Sequence, residues 1–198
     1  MEPKHKVFLS HSGAQKGFVR QLDIDLRSWD IHPFFDKDRD SLPIGEKFPE
    51  LIFKAIEECE VGVVILSQEF FTLSHWPMTE LVGMVKQGRK RIMPIFLGIS
   101  PADLSSGENL ERWRAQWHNW AEGSERVKLS EWDHAVKSLK GHNGLVYDHA
   151  AGVVEFRKEI VKEIRKIVRP SYMWNDSHVQ GRSRLSQVIR RGSDLTVA

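Results

Sequence analysis

Residues 61–88 read VGVVILSQEFFTLSHWPMTELVGMVKQG. The apolar run from Val61 to Leu66 is unbroken and ends at Ser67, which is the pattern of a strand buried on both faces. A polar bend is expected next, and then a helix opening at Ser74. One turn into that helix stands a single acid, Glu80, with apolar neighbours on both sides in sequence. Open α/β proteins gather their ligands outside the carboxyl ends of the strands. The rest of the chain is therefore read by what it can bring to Glu80.

On the N-terminal side, residues 6–10 (KVFLS) form a short apolar strand followed at once by His11, Ser12 and Gly13. A helix is expected over 15–29, where Phe18, Leu22, Leu26 and Trp29 recur at helical spacing. Residues 33–35 are a brief second strand. Residues 36–47 (DKDRDSLPIGEK) are a charged loop with Pro43 and Gly45 as turn residues. Phe48, Leu51, Ile52, Ala55, Ile56 and Cys59 then mark the apolar stripe of a helix ending near Glu58, ahead of the third strand at Val61–Leu66.

On the C-terminal side, residues 91–97 read as a fourth strand, with Pro94 counting against a regular central position. Trp113, Trp117 and Trp120 fall on one face of a helix over 108–121, where packing explains them better than binding. A further helix over 131–140 has Ser130 as its expected N-cap. Residues 145–147 are a fifth strand, and 153–168 a last helix with Val153, Phe156, Ile160, Ile164 and Ile167 facing in. Strands and helices alternate throughout, which predicts an α/β fold of flavodoxin-like type. Its five-stranded parallel sheet would have the order 2-1-3-4-5 and helices on both faces.

Among the 198 residues, 40% are hydrophobic and 28% charged, as in ordinary globular domains. No apolar run approaches the roughly 20 residues that span a bilayer, so no membrane partner is expected. The one cysteine, Cys59, rules out an internal disulfide and a cysteine-based zinc site. With no apolar leader at the N-terminus, a cytoplasmic protein is expected, the nucleus remaining open. The formal net charge of +2 resides in residues 170–198, through Arg182, Arg184, Arg190 and Arg191 against Asp176 and Asp194. That segment is expected to be a poorly ordered basic tail. The neutral body gives a nucleic-acid partner no support, and the tail gives it only a little.

Several chemistries fail on spacing. Residues 83–90 (GMVKQGRK) approach a P-loop, but Arg89 and Lys90 replace its Lys–Ser/Thr pair, and the stretch follows a helix rather than a strand. There is no GxGxxG, no HExxH and no GxSxG around Ser67, so no metal is expected. A phospho-receiver would need acids where this chain has Ser10, His11, Ser12 and Ser67. What survives is the switch point between the first and third strands, where the loops 11–16 and 67–76 converge. Ser12, Gly13 and the first amides of the following helix could hold a phosphate or ribose hydroxyls. Trp76, one turn before Glu80, could wall a pocket. On position alone Glu80 is more readily structural, since the helix macrodipole favours an acid there by about 0.3–1 kcal/mol.

FLSHSG after the first strand, FFDKDRDSLPIGEKFPELIFKAIEEC, GVVILSQEFFTLSHWPMTELVGMV and IMPIF occur in an order that resembles the Toll/interleukin-1 receptor (TIR) domain over residues 4–169. Among TIR domains the chain is most similar to the plant type found ahead of a nucleotide-binding domain and tetratricopeptide repeats. It reads as a free-standing or truncated version. The resemblance implies a hydrolase or cyclase that cleaves the nicotinamide–ribose bond of NAD+, active on self-association in plant defence signalling. NAD+ would be its substrate, with no cofactor. The family's catalytic glutamate, in a serine–x–tryptophan–x–x–x–glutamate context, maps onto Ser74, Trp76 and Glu80. Its first loop maps substrate binding onto Ser12, Gly13, Gln15 and Lys16. The gating loop glycine maps onto Gly45, and a lesser correspondence falls on His149.

This chain departs from the plant pattern in having Ser12 where an arginine often stands, with Lys16 left as a point charge. One glutamate suffices chemically. Glycosidases use a second carboxyl group to protonate a leaving oxygen, whereas nicotinamide leaves a cationic pyridinium as a neutral molecule. The rival expectation is a non-catalytic adaptor that makes only homotypic contacts with other TIR domains. The family also implies a third activity, nucleic-acid-dependent synthesis of cyclic nucleotides.

Overall fold

The computed structural model describes residues 5–35, 48–88, 90–125 and 127–168. Its centre is a parallel sheet of four strands in the order β1 (Val7–Ser10), β2 (Val61–Leu66), β3 (Arg91–Phe96) and β4 (Leu145–Val146). β1 and β2 run in register from Val7 opposite Val61 to Ser10 opposite Val64. The expected second strand is reduced to one parallel bridge, Phe34 beside Phe8. Phe34 donates its N–H to Val7 O at 2.7 Å, and its O accepts from Leu9 N at 3.1 Å. Pro33 has no N–H to extend that ladder. Among the described residues the sheet therefore has four strands where five were expected.

The period of two divides the apolar residues between two cores. Val7, Leu9, Val61, Val63 and Ile65 pack with α1 (Lys16–Arg27) and α7 (Val153–Val168) on one face. On the other, Phe8, Val64 and Leu66 pack with α2 (Phe48–Glu58), α4 (Trp76–Lys86), α5 (Gly107–Gly123) and α6 (Leu129–Leu139). Gly62 belongs to this second face, where a Cβ would fall 2.5 Å from Met84 Sδ. The missing side chain lets α4 settle against β2. Pro94 is accommodated because β4 pairs only with Ile95 and Phe96.

Local chemistry revises several boundaries. The expected bend after β2 is a short helix, α3 (Gln68–Thr72), started by Ser67, whose hydroxyl accepts from Phe70 N at 3.3 Å. Phe70 and Phe71 anchor it in the core. α4 opens at Trp76 rather than Ser74, with Pro77 in its first turn, where a missing N–H costs nothing. α1 stops at Arg27, so Trp29 lies beyond it, 43% exposed, with the Arg165 guanidinium carbon 3.4 Å from its ring centre.

Ser130 is not the cap of α6. The helix already begins at Leu129 because Lys128 O accepts from Trp132 N at 3.1 Å. Val153 opens α7 but points outward, 40% exposed. The expectation that Trp113, Trp117 and Trp120 serve packing holds, for the first two are fully buried and Trp120 is half-buried against the same core. Trp113 stacks on Phe71 with ring centres 3.9 Å apart, and Trp117 Nε1 donates to Phe71 O at 2.8 Å. α5 thus clamps α3, the element that follows the central strand. No described helix is long and apolar enough to cross a membrane.

Candidate active site

β1 and β2 both end at the same edge of the sheet, and α4 crosses behind it. α4 is buried on several sides: Pro77, Met78, Thr79, Glu80, Leu81, Val82 and Met84 are all buried. A carboxyl group in such a place needs hydrogen bonds to offset its lost hydration. Glu80 is 8% exposed, and Ser10, fully buried at the end of β1, donates its hydroxyl to Glu80 Oε2 at 2.6 Å. That length lies within the ordinary range for a hydroxyl donating to a carboxyl oxygen. The bond joins residues 70 positions apart in sequence, and it fixes one carboxylate oxygen.

Ser10 was not among the residues singled out in the sequence. Its signal there is slight: a hydroxyl ends an otherwise apolar strand.

A second network joins the loop after β1 to α3. Ser12 is buried and donates its hydroxyl to Gln15 Oε1. Gln15 N closes the turn on Ser12 O at 3.1 Å, and Gln15 Nε2 donates to Glu69 Oε2 at 3.3 Å. The two loops expected to converge do so through this bond. The Glu69 carboxyl lies below the usual carboxylate range. Its own backbone N–H at the start of α3 is the largest cause, followed by the Ser67 hydroxyl; partial burial opposes them and Gln15 adds a little.

Gly13 is exposed, and a Cβ on it would meet Leu73 Cδ2 at an ordinary 3.8 Å, so packing does not demand a glycine. Lys16 is half-buried at the first position of α1. Trp76 is half-buried, its amide donates to Ser74 Oγ at 3.3 Å, and its ring lies 5.1 Å from that of His75. It packs against the second core rather than standing as a bare wall. His149 is exposed beside Tyr147, with ring centres 4.6 Å apart. Gly45 and the loop 36–47 lie outside the described residues, as does the tail 170–198. Among the described residues no three His, Cys, Asp or Glu side chains are grouped to hold a metal ion.

The arrangement is one buried, oriented carboxylate behind a polar loop at the carboxyl edge of a parallel sheet. A family described as TIR domain matches residues 7–139. The chain belongs to the TIR domain family. It is 30% identical over 171 residues to the Disease resistance protein RBA1 of Arabidopsis thaliana, a match covering 84% of this chain and 45% of that protein. It is 33% identical over 108 residues to the NAD(+) hydrolase PdTIR of Paracoccus denitrificans, covering 52% of this chain and 35% of that one.

Among solved structures, the TIR domains of the activated Roq1 resistosome share the fold with a TM-score of 0.64 at 24% identity. That match covers 81% of this chain and 99% of the other. The chain thus spans less than half the length of the two curated relatives named.

Proposed function

We propose that this TIR domain cleaves the bond between nicotinamide and ribose in NAD+, with Glu80 as the catalytic carboxylate. We place the reaction in plant-type immune signalling, in self-associated protein in the cytoplasm. The observation that carries the reading is the buried Glu80 carboxylate held by Ser10 at 2.6 Å at the carboxyl edge of the sheet. Similarity to an NAD(+) hydrolase and to a plant disease resistance protein supports the reaction class and the setting. The free, buried Cys59 suits a reducing compartment.

The chemistry asks little else of the protein. When the C–N bond breaks, nicotinamide leaves with the bonding electron pair as a neutral molecule. Positive charge then develops on the ribose. A carboxylate oriented in a low-dielectric site opposes that charge without having to reorganise. Water then adds to the ribose carbon and releases a proton, giving ADP-ribose; attack by a hydroxyl of the same molecule gives a cyclic product instead. Ser12, Gly13, Gln15, Lys16, Gly45 and Trp76 are assigned to substrate binding, and NAD+ needs no helper cofactor.

Nicotinamide release from NAD+ tests the proposal directly, with chromatography of the products. Wild-type protein should release it, and Glu80→Ala should lower the rate by about 10²-fold or more while keeping its far-UV circular dichroism. Equal inertness of both proteins at every concentration and under crowding would sink the enzyme reading and leave an adaptor.

A further inference from the structure

A cleft of about 750 Å³ runs along α1, lined by Lys16, Arg20, Asp23, Arg27 and Phe35. Lys16, Arg20 and Arg27 stand at i, i+4 and i+11, so the helix presents three cations along one face. Only one acid lies among them. Asp23 is engaged by Arg27, with Nε donating to Oδ1 at 2.8 Å. The next acid on the helix, Asp25, is held by Arg157 of α7 at 2.7 Å. Among the described residues no carboxylate pairs with Lys16 or with Arg20. Like charges one turn apart destabilise a helix, and an anion seated between them relieves that repulsion.

Lys16, at one end of the cleft, directly follows the turn that carries Ser12 and Gln15. Phe35, 5% exposed, forms the wall of the cleft and lies 5.5 Å, ring centre to ring centre, from His11. His11 follows Ser10, the partner of Glu80, in the chain. An ammonium and a guanidinium one turn apart suit two linked phosphates: the guanidinium offers a planar fork to one and the ammonium a point charge to the other.

We propose that Arg20, together with Lys16, binds the diphosphate of the dinucleotide substrate. Arg20 is then a substrate-binding residue one turn into α1 from Lys16. The proposal rests on the reading of this chain as an NAD+-cleaving enzyme, so its test has an arm that does not need turnover.

In the first arm ADP and inorganic pyrophosphate are titrated calorimetrically into the full chain. Both should bind wild type, Arg20→Gln should weaken ADP at least ten-fold, and Arg20→Lys, which keeps the charge but loses the planar fork, should fall between the two. Lys158→Gln, which removes one positive charge from the exposed side of α7, should bind like wild type. In the second arm the KM for NAD+ should rise about ten-fold in Arg20→Gln, by a larger factor than kcat falls. Absence of ADP binding to wild type, or equal affinity in Arg20→Gln, overturns the proposal. So does ADP binding that needs Arg20 while the KM for NAD+ stays constant, for the site would then serve a separate nucleotide. Binding of duplex nucleic acid without ADP binding overturns it as well. Failure of wild type to release nicotinamide removes only the enzyme reading, and the ADP titration still decides whether Arg20 holds a diphosphate.

Discussion

Ser10 and Glu80 form a pair in which each side chain answers a cost the other would otherwise bear. The hydroxyl is fully buried and the carboxylate nearly so. Ser10→Ala should therefore destabilise the fold by about 1–3 kcal/mol, the usual cost of leaving a buried acceptor without a hydrogen-bond partner, as read by urea denaturation. Nicotinamide release should fall with it. Glu80→Gln separates structure from chemistry: it keeps an acceptor for Ser10 but no charge. Its stability should stay within about 1.5 kcal/mol of wild type, while nicotinamide release falls about 10²-fold. A Glu80→Gln protein with full activity would show that the carboxylate charge is not used. Glu80 was legible in the sequence because an acid between apolar residues after a buried strand needs an explanation. Ser10 was not, because which strand-end hydroxyl meets that acid depends on how α4 lies across β1.

At the scale of elements, the site depends on α3, a helix of five residues that cannot persist by propensity alone. It is held from below by Phe70 and Phe71, from outside by Trp113 and Trp117, and from the first loop by Gln15. Trp117→Phe keeps most of the packing but leaves Phe71 O without its indole donor. We expect a loss of about 1–3 kcal/mol in urea denaturation, with faster amide exchange in α3 than elsewhere.

Glu69 sets a pH dependence for the same element. Its pKa is depressed in the fold, so its contribution is fully present above the unfolded-state pKa and is lost as pH falls through the folded value. Glu69→Gln should therefore show a shallower loss of stability between about pH 5 and pH 3 than wild type; equal slopes would remove the assigned role. The sequence showed α5 through its tryptophan spacing, yet α3 read as a bend. Five residues carry no helical period, and the partners that stabilise α3 lie about 45 positions away.

Across the whole molecule, the alternation of buried strands and amphipathic helices made the α/β class legible, since each strand shows its run and each helix its stripe. The strand count was less so: the bridge at Phe34 is a matter of hydrogen bonds rather than of apolar pattern. One consequence of the fold reaches beyond a single copy. β4 lies at the sheet edge, and Val146, Val153 and Val154 are each at least 40% exposed in the segment 146–154. Exposed apolar side chains beside a strand at the sheet edge favour association, which agrees with the proposed self-association. If so, activity must depend on total protein and not only on the number of intact carboxylates. At a fixed, dilute concentration of wild type, added Glu80→Ala protein should raise nicotinamide release several-fold, because inert copies complete assemblies around active ones. Replacing Val146 and Val154 with lysine in the added protein should abolish that rise. A rate indifferent to added Glu80→Ala would separate catalysis from self-association and leave a monomer that cleaves NAD+ on its own.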